Sequence, residues 1–134
     1  MLIKNEGDFT VVIKDNNHQK KLIKARQESS MEYGKYLLFS NNRDALLEVT
    51  RKIVDHYGLS EFHISNKSND SGSFSYVSKI YDDNNDLAVS IDHLISISEY
   101  RNAIKYRYFK PEWKTENGVY SNAYLKGKEN NDIL

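Results

Sequence analysis

Lys105, Arg107, Lys110 and Lys114 place four cations in and just beyond one aromatic, β-branched stretch, Ile104-Lys105-Tyr106-Arg107-Tyr108-Phe109-Lys110-Pro111. Alternation sets Lys105 and Arg107 on one face, with Ile104, Tyr106 and Tyr108 on the other. Such a strand can pack on one side and meet an anion on the other. A guanidinium grips phosphate through two parallel hydrogen bonds. A lysine supplies a point charge or, once burial lowers its pKa, a base. Tyr106 and Tyr108 add rings on which a nucleobase could stack. Pro111 cannot donate to a β ladder, so the strand is expected to end or reach an edge there, with Lys110 and Lys114 at its mouth. The same pattern also fits a solvated strand face charged for solubility.

His63 and Ser65 form a His-x-Ser in a strand-like segment, half of a two-histidine phosphoesterase signature. The other half is missing, because His93 is followed by Leu94-Ile95-Ser96 in a helical pattern. A histidine partly covered by the loop after Ser65 fits equally well. His18 and His56 stand in polar surroundings and read as surface residues. There is no zinc-ligand spacing, and Asp82, Asp83 and Asp86 lack the oxygen spacing and bidentate Glu of a calcium loop. Those aspartates read as helix caps, and no metal is expected. A Gly-rich phosphate loop is absent, which argues against an ATPase or dinucleotide enzyme. No cofactor is expected.

The elements that must position these residues follow from pattern. Phe9-Thr10-Val11-Val12-Ile13 reads as a first strand closed by the polar Lys14-Asp15-Asn16-Asn17. Residues 19–28 hold few apolar positions, Leu22, Ile23 and Ala25, and suit either a short surface helix or a hairpin arm. Lys35-Tyr36-Leu37-Leu38-Phe39 after Gly34 is a continuous apolar run of the buried-strand type. Leu46, Leu47, Ile53, Val54 and Tyr57 recur at helical spacing between a cap at Asn41 or Asn42 and a C-cap at Gly58, with Asp44 in the first turn. Residues 61–65 and 74–81 form a hairpin around a polar loop. Leu87, Ala88, Ile91, Leu94 and Ile95 make a second helical stripe, the cationic strand follows, and residues 119–125 could add another. This order, strand-helix-strand-strand-helix-strand with extra β material at both ends, predicts an α+β domain. Its sheet would be mostly antiparallel, with two helices on one face.

With 134 residues, 39% of them hydrophobic, the chain suits one domain: an N-terminal extension over 1–32, a core over 33–125 and a mobile tail over 126–134. Nineteen basic residues balance nineteen acidic ones, so no overall field draws the protein to nucleic acid or an anionic membrane. There is no cysteine, which removes disulfides and thiolate chemistry and fits a reducing cytoplasm. No apolar run is long enough to span a bilayer, and the N-terminus lacks a secretory pattern. A cytoplasmic protein is the expectation.

Two segments carry a family resemblance. Gly34-Lys35-Tyr36-Leu37-Leu38-Phe39 resembles the Gly-Lys-Trp-Leu-Leu-Phe strand of the phosphothreonine-lyase-domain, Bles03-like proteins, which have an eIF4E-like fold. Lys110, Glu112, Thr115, Gly118, Val119 and Tyr120 resemble that family's Tyr-Lys, acidic, Thr, Gly-aliphatic-Tyr pattern. The resemblance spans residues 33–121. It implies phosphate release by β-elimination, in which a lysine takes the α-proton, a histidine helps the leaving group and arginines hold the phosphate. Leu37 stands where the acid histidine is expected, and His63 where the base lysine is expected, so His63 becomes a candidate base. Lys35, Arg107 and Lys110 remain candidates for holding phosphate. The Lys-x4-Thr-x2-Gly-Val-Tyr spacing is also similar to phage S-adenosylmethionine lyases, trimers with sites between subunits that rely on a glutamate. Glu99, Glu112 and Glu116 are the available ones.

The resulting expectation is a small cytoplasmic domain binding a phosphate-bearing or nucleotide-like ligand, with lyase chemistry and a homo-oligomer as further possibilities. His63 and Lys110 are the catalytic candidates. Lys35, Lys105, Arg107, Tyr108, Lys114 and Tyr120 are the ligand-binding ones. Two alternatives stand beside it: an S-adenosylmethionine lyase with sites at subunit interfaces, and a non-enzymatic phage or mobile-element protein that sequesters a nucleotide signal or covers a host protein. A cap-binding-like RNA module is disfavoured by the solitary Trp113.

Overall fold

The computed structural model describes residues 1–68 and 74–113. Its elements are β1 (Leu2–Glu6), β2 (Phe9–Ile13), α1 (Asn17–Gln27), β3 (Gly34–Ser40), α2 (Arg43–Tyr57), β4 (Glu61–Ser65), β5 (Tyr76–Asp82), α3 (Ala88–Ser96) and β6 (Ile104–Pro111). Among the described residues the strands form one six-stranded sheet in the order β1-β2-β4-β5-β3-β6, and every neighbouring pair is antiparallel. The α+β class and the central β-α-β-β-α-β order are as expected. Among the described strands β6 is outermost, and it ends at Pro111, which has no N–H for a further ladder bond.

The apolar alternation of the central strands decides which face α2 and α3 cover. Tyr36 and Leu38 of β3, Phe62 and Ile64 of β4, Ile80 of β5 and Ile104 of β6 point one way. They meet Leu46, Val49, Ile53 and Val54 of α2 and Ile91 and Ile95 of α3 in a single buried cluster. Each fully buried large side chain contributes about 1.5–3 kcal/mol of transfer free energy. α2 is closed at both ends by its own sequence: the Asn42 side chain accepts from the Ala45 N–H, and Gly58 takes the left-handed conformation, φ 66°.

Two details differ from expectation, and one open alternative is decided. β1 adds a strand ahead of Phe9–Ile13, joined to it through Gly7 at φ 65°. Residues 17–27 are a helix rather than a hairpin arm, because Asn16 caps its first turn and Leu22 and Ala25 share one buried stripe. That third helix packs against Tyr33 and Tyr81, on the face of the sheet opposite α2 and α3. The aspartates read as caps do not cap α3. It begins after Leu87 without a side-chain cap, while Asp82 is buried at the end of β5 and holds the Tyr36 hydroxyl. Tertiary burial has claimed a residue that local pattern assigns to a helix start. Residues 119–125 and 126–134 lie outside the described residues, as does the loop at 69–73.

Candidate functional site

The face of the sheet turned away from α2 and α3 carries polar and charged residues in ordered rows. Register places Glu61, Tyr81, Lys35 and Lys110 side by side across β4, β5, β3 and β6. The next row is Val11, His63, Lys79, Leu37 and Tyr108. Beyond it lie Phe9, Ser65, Val77 and Phe39. Adjacent strands are about 4.8 Å apart and same-face residues along a strand about 6.6 Å apart, so neighbouring long side chains reach one another.

α1 closes one end of this face. Arg26 donates to the Tyr33 hydroxyl at 2.9 Å and to Glu61 Oε1 at 3.1 Å, and Tyr33 stacks on Tyr81 with centroids 6.1 Å apart. His63 Nε2 lies 2.8 Å from Glu61 Oε2, and its ring sits 4.7 Å from that of Tyr81. Burial opposes the charge on Glu61, yet the hydrogen bond from His63 and the adjacent Arg26 guanidinium hold its carboxyl below the usual range. Burial, reinforced by Glu112, pushes the Tyr81 hydroxyl well above its ordinary pKa. His63 therefore stands in a Glu61-oriented network, and Ser65 has another duty: its hydroxyl accepts the Val77 N–H at 3.0 Å.

Lys35, Lys79 and Lys110 stand together on β3, β5 and β6. Lys35 is buried, its ammonium pairing with Glu112 and lying 5.7 Å from the centre of the Tyr81 ring. Glu112 is fixed in turn by its backbone N–H, which donates to Tyr33 O at 2.9 Å. Lys79 reaches the other way and sits 4.1 Å over the Phe9 ring. Burial lowers the Lys79 pKa, and repulsion from Lys35 adds to it. Lys110 is brought down to about 8 by burial, then by Lys35 and Lys79, against the opposing pull of Glu112. The three lysines thus act on one another electrostatically, with Glu112 the carboxylate that acts on both Lys79 and Lys110.

Past the lysines the face turns aromatic. Phe39 contacts Phe74 at 5.9 Å and stacks with Tyr108 at 6.2 Å and 17°. A cavity of about 390 Å³ opens there, bounded by Phe9, Phe39, Ser65, Phe74 and Val77. Its volume suits a small ligand. A second hollow of about 430 Å³ lies at the β6 edge between Tyr36, Leu38, Phe109 and the start of α3. It lacks the cationic lining.

Of the residues singled out from sequence, the fold brings Lys35, Lys110, Tyr108 and His63 onto this face. Lys105 and Arg107 belong to β6, where Arg107 pairs with Leu38 in the ladder; their side chains lie outside the described residues. Lys114 and Tyr120 are outside them too. Sequence reasoning missed Lys79, Tyr81 and Arg26. The alternation Val77-Lys79-Tyr81 was a usable signal for the first two, since it puts a lysine on the same strand face as two apolar side chains. Arg26 gave none. His18 is not the surface residue expected: it is mostly covered, with Nε2 3.1 Å from Asp82 Oδ1.

No family model matches the chain, and no curated protein or solved structure does either. Among the described residues no helix is long and apolar enough to cross a membrane. The functional reading therefore rests on the geometry of the lysine face.

Proposed function

We propose that the protein binds a phosphate-bearing, nucleotide-like ligand along the face formed by Lys35, Lys79, Lys110, Tyr108 and Phe39. The observation that supports this most is the grouping of three lysines on adjacent strands, partly removed from water and set against Glu112. Like charges at that spacing destabilise the free protein, and an anion seated among them relieves the repulsion. A phosphate held by Lys35 and Lys110 would lie about 13 Å, four residues of strand, from Phe39, with Lys79 in the row between them. That separation leaves room for a planar group to stack at Phe39 while the phosphate is held by the lysines. The cationic lining favours an anion over the sulfonium of S-adenosylmethionine.

A lyase version of this reading draws on Lys110. With its pKa near 8, a sizeable fraction of its amine is neutral at mildly alkaline pH and can take a proton. In a β-elimination Lys110 would accept the α-proton, the freed electron pair would form the double bond, and the C–O bond would break. The phosphate would depart with that bond's electrons onto Lys35 and Lys79. The resemblance to phosphothreonine lyases belongs with this version.

Isothermal titration of the full chain with inorganic phosphate, ADP and a phosphothreonine peptide tests the proposal. Binding of ADP at least about tenfold tighter than phosphate is expected, since base stacking is worth roughly 1–3 kcal/mol. Lys110→Met should weaken it by about tenfold or more. Absence of binding at millimolar ligand, or an unchanged Lys110→Met affinity, would overturn the anion site. Mass spectrometry of the peptide then separates elimination from binding alone.

A further inference from the structure

The geometry points to a binding site for one divalent transition-metal ion, of the Zn²⁺ or Mn²⁺ class, made by His18, Asp82 and Asp83. These residues meet where the first turn of α1 passes the end of β5, apart from the lysine face. One donor atom from each lies within 4.8 Å of the others.

Three observations distinguish this cluster from a plain ion pair. His18 Nε2 is shut off from solvent and has no well-aligned hydrogen bond, although it pairs by charge with Asp82 Oδ1 only 3.1 Å away. The two atoms are close without being aligned on each other, as co-ligands converging on a shared point would be. A cation about 2.1 Å from both would see them at an angle of about 95°, the cis angle of an octahedral or five-coordinate centre. Finally, the carboxylate is held from behind: the Tyr36 hydroxyl donates to Asp82 Oδ2 at 2.7 Å and the Asp83 N–H to Asp82 Oδ1 at 2.8 Å. Tyr36 itself receives the Leu87 N–H at 3.2 Å. Such outer partners fix a ligating carboxylate before the metal arrives.

The donor set sorts the candidates. One imidazole with two carboxylates suits a borderline first-row ion better than Ca²⁺ or Mg²⁺, which prefer all-oxygen shells. Three protein ligands leave coordination positions for water. A bound ion would tie α1 to the strand that carries Lys79 and Tyr81, so the site is placed to stiffen the wall of the cationic face.

The test uses the full chain stripped with a chelator and then titrated calorimetrically with ZnCl₂ and with MnCl₂, followed by metal analysis after desalting. One equivalent per chain is expected, with a rise in thermal midpoint. His18→Ala and Asp83→Asn, checked for folding by circular dichroism, should each lower affinity by tenfold or more. Asp82 is left intact, because it also anchors Tyr36. As a readout that needs no variant, substoichiometric Mn²⁺ should broaden the amide resonances of residues 17–19 and 82–84 of the parent protein before any others. No uptake of either metal at 100-fold excess over protein, undiminished affinity in folded His18→Ala, or broadening centred on another histidine would overturn the assignment.

Discussion

The two faces of the one sheet solve opposite problems. On the α2 and α3 side Leu38, Phe62, Ile64 and Ile80 present nothing but apolar surface, and the helices bury it completely. On the other side the same strands present Lys35, Lys79, His63, Glu61 and Tyr81, and α1 covers one end only. The first face makes stability. The second consumes some of it, since Lys79 and Lys110 hold their charges partly out of water and close to Lys35. A chain that spends stability on one face while saturating the other with apolar packing has separated folding from binding, and substitutions on the two faces should separate as well.

The largest effect is expected on the apolar face. Leu46→Ala removes a side chain with no solvent exposure from the centre of the α2 contact and should cost about 2–5 kcal/mol in urea unfolding. Ligand affinity of the remaining folded molecules should be unchanged. A comparable loss of affinity would erase the distinction between the faces.

Gly34→Ala should damage both faces at once. A Cβ there would come within 2.5 Å of Lys110 O, 2.7 Å of the Phe109 ring and 2.8 Å of Pro111 Cα, so β3 and β6 would have to separate. A loss of about 1–3 kcal/mol in stability is expected. Weaker anion binding should accompany it, because Lys35 and Lys110 face each other across that pair of strands.

On the cationic face alone, Lys110→Met should leave stability at pH 7 the same or slightly higher, because it removes a charge disfavoured first by burial and then by Lys35 and Lys79, while anion binding weakens. The pH dependence follows with a definite sign. In the folded protein Lys110 releases its proton near 8, and in the unfolded chain near 10.5. The unfolded state therefore binds more protons between those values, and stability should rise as pH increases from about 8 toward 10.5. Anion affinity should fall over the lower part of the same window, as the ammonium is lost. Lys110→Met should flatten both trends. The smallest effect is expected at Asn42→Ala, about 1 kcal/mol from the lost α2 cap, with no change in binding.

The apolar face was legible in the sequence because its signals are local. Asn42, Asp44 and Gly58 mark the ends of α2, and Leu46, Ile53 and Val54 repeat at helical spacing between them. Lys35 and Lys110 were legible as candidate anion-holding residues, but their pairing was not. Alternation reveals which residues of one strand share a face, whereas register between β3, β5 and β6 is set by tertiary packing and decides which lysines become neighbours. The pairing of Glu112 with Lys35 and the role of Arg26 escaped for the same reason, since each reaches its partner across the fold. Asp82 was misread because an aspartate before a helical stripe is ordinarily a cap, and only burial beside Tyr36 and His18 reveals its different environment.

Whether the second face is a preorganised cationic site can be read from the Lys110 ammonium, followed by NMR through a pH titration with and without ADP. A midpoint near 8 is expected in the free protein, moving upward when ADP binds because the anion favours the charged amine. An unshifted midpoint near 10.5 in the free protein, unaffected by ADP, would contradict it.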